Sequence, residues 1–78
     1  MTRYFFHLQD PDECRDEEGT ELPDRQVAMA RAIEHARDIL ASDVKAGELC
    51  LSHRIDVTSD GNDAIFSVAF RDVVAIRP

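Results

Sequence analysis

One segment constrains the fold more than any other. "PDRQVAMARAIEHARDILASDVKAG", residues 23–47, places Ala28, Met29, Ala32, Ile33, Ala36, Ile39, Leu40 and Val44 on one broad stripe of a 3.6-residue wheel. Arg31, Glu34, Asp38 and Lys45 face the other way. Asp24 is positioned to cap the first turn and Gly47 to close the last. The pattern predicts one amphipathic helix. Its face is rich in small residues, so it can approach a sheet closely.

The flanks of this helix alternate at the period of strands. "RYFFHLQ" (3–9) puts Tyr4, Phe6 and Leu8 on one face and Phe5, His7 and Gln9 on the other. "DPDE" (10–13) has turn chemistry, because Pro fixes φ and Asp bonds its own backbone. "CRDEEGTEL" (14–22) reads as a short polar second strand, interrupted at Gly19. After the helix, "ELCLSH" (48–53) connects, with Leu49 and Leu51 expected to tuck under the domain. "RIDVTS" (54–59) points Ile55 and Val57 inward, and "DGN" (60–62) signals a tight turn. "DAIFSVAFRD" (63–72) places Phe66, Val68 and Phe70 on one face and Ile65, Ser67 and Ala69 on the other. "VVAIRP" (73–78) either extends that strand or folds back.

The order is ββαββ, two hairpins around one helix. It predicts a single small α+β domain over residues 1–78. The architecture is two layers: a four-stranded, mainly antiparallel sheet with one long helix packed on one face. The first and fourth strands are the most apolar and are expected at the centre. The charged second and third strands are expected at the edges, where charge discourages stray pairing.

A chain of 78 residues holds one modest core. With 44% hydrophobic and 32% charged residues, its composition is globular. No apolar run approaches the roughly 20 residues that span a bilayer, and "MTRYFFHLQD" turns acidic too early for a signal peptide. A cytoplasmic location is therefore expected, with Cys14 and Cys50 as free thiols. The net charge of −7 is local. "DPDECRDEEGTELPD" (10–24) holds eight acids and Arg15, and acids and bases balance over the rest of the chain. Nucleic acids and anionic membranes need clustered Lys and Arg, which this chain lacks, so neither is an expected partner.

The acidic stretch suggests calcium, and Asp10, Asp12 and Glu21 fall at positions 1, 3 and 12 of an EF-hand spacing. However, Cys14 stands at position 5, and Arg15 replaces the Gly that allows the sharp turn at position 6. Zinc would draw on Cys14, Cys50, His53, His7 and His35, of which only Cys50-x-x-His53 is a close pair. No nucleophile elbow, P-loop or glycine-rich dinucleotide motif is present. A ligand pocket needs roughly 300 Å³, and a one-helix domain is expected to have little room for it. The residues thus predict no catalytic, cofactor or metal site and no enzymatic activity. His7 is expected as a half-exposed strand histidine on the face away from the helix.

"RYFFH" (3–7) and "DEEGTELPD" (16–24), followed by a helix and "FRDVV" (70–74), resemble a family of very short bacterial proteins common in alphaproteobacteria. That family is catalogued only as a domain of unknown function. The resemblance implies a compact α+β domain and brings no activity or site residues. In architecture alone, the strand–strand–helix order is similar to small antitoxins, which would imply a basic toxin as partner.

The expected function is therefore a non-enzymatic protein–protein interaction or regulatory module. Its partner would be a second copy of the chain or a basic protein. The expected contact surface comprises Phe5, His7, Ile65 and Ala69 on the uncovered sheet face, with Asp12, Glu17 and Glu18 from the acidic stretch. The alternative is a small-ligand or metal-sensing domain built on the 10–24 stretch or the Cys/His set.

Overall fold

The structure is a computed structural model. It describes residues 1–10, 12–60 and 64–77, and of Asp10, Asp12 and Glu13 the backbone only. The elements are β1 (Thr2–Asp10), β2 (Asp12–Cys14), β3 (Thr20–Leu22), α1 (Arg25–Lys45), β4 (Arg54–Ser59), β5 (Ala64–Ala69) and a 3₁₀ turn (Phe70–Asp72).

β1 is the organising strand. Along one side it pairs antiparallel with β4. Along the other it pairs with β3 near its start and with β2 near its end. β5 then pairs antiparallel with β4. The sheet is four strands wide and antiparallel throughout, in the order β2/β3–β1–β4–β5, with α1 on one face. The expected α+β architecture is correct, but the strand order is not. β4 is central and β5 is an edge, the reverse of the expectation. Apolar content misled here because β5 gains its cover from the helix above it, not from strands on both sides. The register of β4 against β5 shifts between Val57 and Thr58. The predicted turn at 60–62 falls largely on Gly61 and Asn62, outside the described residues.

The helix is capped as predicted. Asp24 Oδ1 accepts the backbone N–H of Val27 at 2.9 Å. At the other end Gly47, at φ +89°, donates to Val44 O at 2.9 Å, and Glu48 N–H reaches Asp43 O at 2.8 Å. These are the two reversed bonds of a Schellman ending, and the positive φ is what glycine supplies there.

Ala28, Ala32, Ala36 and Leu40 form the buried stripe of α1. They rest on Tyr4, Phe6, Ile55, Val57, Val68 and Phe70 in one core cluster. Three alanines in a row bring the helix backbone close to the sheet, and the large side chains come from the strands. Ile33, Met29 and Ile39 are half-buried at the margins. Val44 and Leu49 depart from expectation, at 57% and 51% exposed. The cause is length. Twenty-one helical residues run about 31 Å, whereas a six-residue strand covers about 20 Å. The last turn therefore overhangs the sheet. The tail folds back on the helix: Val73 is buried and its carbonyl accepts Arg37 Nε–H at 2.9 Å.

Candidate functional site

The acidic stretch resolves into a built turn. β3 pairing ends at Tyr4↔Thr20 and β2 pairing ends at Leu8↔Cys14. Between them, three residues of β1 face five residues, Arg15–Gly19. The two extra residues would leave Phe6 N–H without a strand partner. Asp16 supplies one: its Oδ2 accepts Phe6 N–H at 3.2 Å, while Oδ1 accepts Glu18 N–H at 3.2 Å and Gly19 N–H at 3.1 Å. Partial burial pushes the Asp16 carboxyl up. The N–H groups of Gly19, Phe6 and Glu18, with His7 nearby, more than offset this and hold it below its ordinary value. Gly19 sits at φ +73°, where a Cβ would lie 2.8 Å from Arg3 Cγ and 2.8 Å from the Phe5 ring.

This turn also changes the standing of His7, which is 4% exposed rather than half-exposed. The backbone N–H of Asp16 donates to His7 Nδ1 at 3.0 Å, so the ring proton sits on Nε2, where Thr58 Oγ1 accepts it at 3.0 Å. Phe5 stacks parallel to the ring at 6.3 Å. Beside it on the same sheet face, Asp56 accepts Ser67 Oγ–H at 2.6 Å and Arg54 Nε–H at 3.0 Å. Partial burial raises the Asp56 carboxyl, but Ser67, Arg54 and His7 together hold it below its ordinary value.

The surface expected for contacts is thus largely self-satisfied. His7 is inside, Phe5 lies half-buried against Gly19, and Ile65 and Ala69 are half-buried on the edge strand. Glu17 and Glu18 are exposed at the turn. The Asp12 side chain is outside the described residues.

The calcium spacing comes apart in three dimensions. Asp10 ends β1, whereas Glu21 pairs with Arg3 near its start, about 23 Å away along the strand. Arg3 also forms an ion pair with Glu21 at 3.4 Å. The Cys/His set divides three ways. His7 lies under the turn, Cys14 and His35 border one cleft, and Cys50 Sγ lies 3.0 Å from His53 Nε2 on the connection. No three His, Cys, Asp or Glu side chains converge among the described residues. Cys14 is an exposed free thiol and Cys50 a half-buried one.

Among the concave regions along α1, one lies on each flank. One is a cleft of about 400 Å³ floored by Phe6 and Leu8 and bordered by Cys14, Arg15, Arg31 and His35. Chain length alone does not anticipate it. It exists because α1 packs chiefly over β3, β4 and β5 and leaves the far end of β1 partly uncovered. The other is an apolar groove between the overhanging end of α1 and the tail. Leu40, Ala41, Val44, Leu49, Val74 and Ile76 line it, with Arg37 and Lys45 at its rim. Ile76 is 65% exposed. The sequence had placed Val44 and Leu49 inside. The signal it missed was the excess of helix length over strand length.

Among the described residues, no helix is long and apolar enough to cross a membrane. No curated protein and no solved structure matches the chain. The family comparison does match, over residues 3–71, from within β1 into the 3₁₀ turn. The chain belongs to the family described as a domain of unknown function, DUF6894.

Proposed function

We propose that the chain is a non-enzymatic, cytoplasmic protein–protein interaction module whose partner is a second copy of itself. The observation that carries this reading is the outward face of α1. Val27, Ala30, Glu34, Arg37, Ala41 and Val44 follow one another at alternating spacings of three and four. This is the seam of a helix pair. All but the half-buried Val27 are exposed.

The seam is its own complement when read antiparallel. Val27 meets Val44, Ala30 meets Ala41, and Glu34 meets Arg37, each twice about a two-fold axis. Small residues allow close approach, and the opposite charges fix the register. The same arrangement sets the acids just before α1, Glu21 and Asp24, against the partner's helix end bearing Lys45. It also sets the partner's Val27 at the groove beside Val44, Leu49 and Ile76, which covers exposed apolar surface.

Light scattering during size-exclusion chromatography at tens of micromolar tests this. A dimer is expected. Glu34→Arg should dissociate it, and adding Arg37→Glu should restore it. A monomer throughout, or a dimer indifferent to Glu34→Arg, overturns the reading. A basic protein retained on the chain through Glu17 and Glu18 in place of a second copy would also overturn it.

A further inference from the structure

The cleft on the other flank of α1 is lined by none of the seam residues. We infer that it binds a small amphipathic anion: a carboxylate head on an apolar body of about eight carbons or fewer. Three features point to this chemistry. The floor is apolar, made by Phe6 and by Leu8, which the helix leaves half-exposed. Two nitrogen-bearing side chains, Arg31 and His35, stand four apart on one face of α1 and border that floor. Neither makes a hydrogen bond or ion pair with any described residue. Arginine offers a planar fork that matches a carboxylate, and the His35 ring adds a further donor.

The opposite wall suits the same ligand. Thr20 supplies a hydroxyl and Cys14 a small soft surface. Asp16 also borders the cleft, but both its oxygens are occupied by backbone N–H groups of the turn, which disperse its charge. The volume of about 400 Å³ lies within the range of small-molecule sites. In a chain of net charge −7, a site that presents an arginine over an apolar floor runs against the overall field. It therefore selects for a ligand that brings apolar contact as well as charge.

The test is a nitrogen–proton correlation titration of the full chain at physiological salt with sodium octanoate, octylammonium chloride and inorganic phosphate in parallel. Octanoate should give saturable shifts at Leu8, Cys14, Arg31 and His35. Octylammonium and phosphate should bind at least about tenfold more weakly, because each lacks one of the two features recognised. Arg31→Gln should weaken octanoate about tenfold or more through loss of a charge-assisted hydrogen bond, and His35→Gln should weaken it less. Asp38→Asn, on the exposed side of the same helix, should leave it unchanged. Circular dichroism checks that each variant folds. Octanoate shifts that do not saturate, equal binding of octylammonium or phosphate, or an Arg31→Gln variant that binds as well as the parent would each overturn the inference.

Discussion

The backbone N–H of Asp16 donates to Nδ1 of His7 at 3.0 Å, and the Asp16 carboxylate returns across the same gap to accept Phe6 N–H. One acidic residue thus bridges the two halves of an interrupted edge strand. His7 is the internal post on which that bridge rests, with Thr58 behind it. Replacing His7 by Phe keeps the ring and the stack on Phe5 but leaves the Asp16 N–H and the Thr58 hydroxyl without this partner. Urea unfolding should show a loss of about 1–3 kcal/mol. An unchanged midpoint would mean that the imidazole contributes packing alone.

Asp16 and Asp56 both hold their carboxyls below the ordinary value in the folded chain. An unfolded aspartate titrates near about 3.9. The stability they contribute is therefore complete above that pH and is lost as pH falls through the lower folded values. Their contribution to thermal stability should stay level down to about pH 5 and decline below about pH 4. Asp16→Asn should be less stable than the parent at pH 7, and the gap should narrow as the parent loses its own charge. A gap that stays constant down to pH 3 would assign the effect to the turn's shape instead.

Gly19 combines a positive φ with contact against Phe5 and Arg3. Alanine there meets a backbone penalty of about 1 kcal/mol and a ring that must move. A total loss of about 2 kcal/mol or more is expected by chemical denaturation. Gly47 also has a positive φ, but a Cβ there would meet nothing within 4 Å, so Gly47→Ala should cost only the backbone penalty.

The helix face separates into inner and outer residues along a line the sequence drew imperfectly. Leu40→Ala, at a residue only 3% exposed, should cost about 2–5 kcal/mol. Ile33→Ala, at a half-buried position, should cost less. Val44→Ala should change the stability of dilute monomer by no more than about 0.5 kcal/mol. Equal losses at Leu40 and Val44 would refute the overhang of the last turn.

The thiols should differ in rate. Cys14 is exposed, and Cys50 is half-buried with its sulfur against His53 and Ser52. Timed alkylation of the native chain followed by mass spectrometry should give one fast label at Cys14 and one slow label at Cys50.

Local signals carried the elements, and three-dimensional substitutions hid the site. The α1 boundaries were legible because Asp24 and Gly47 act within one turn of the helix they bound. The inward faces of β1 and β4 were legible because the period of two survives in both. Strand order was not, because an apolar strand under a helix and an apolar strand between neighbours look alike in one dimension. The burial of His7 was hidden for a different reason. Its cover is a side chain taking the role of backbone, Asp16 against Phe6 N–H, and no periodicity records such an exchange. The cleft stayed invisible because it is the space left where α1 does not reach.

The break between β2 and β3 bears on how the folded chain meets its neighbours when crowded. A sheet rim recruits stray strands when it presents a long, level row of amide groups. Here one rim is two three-residue pieces parted by a carboxylate plug. On the other, Arg25 binds the Ile65 carbonyl at 3.2 Å and lies over the Phe66 ring. The first border is broken and the second is partly occupied, so this small fold should withstand concentrations at which an unbroken hairpin edge would seed growth.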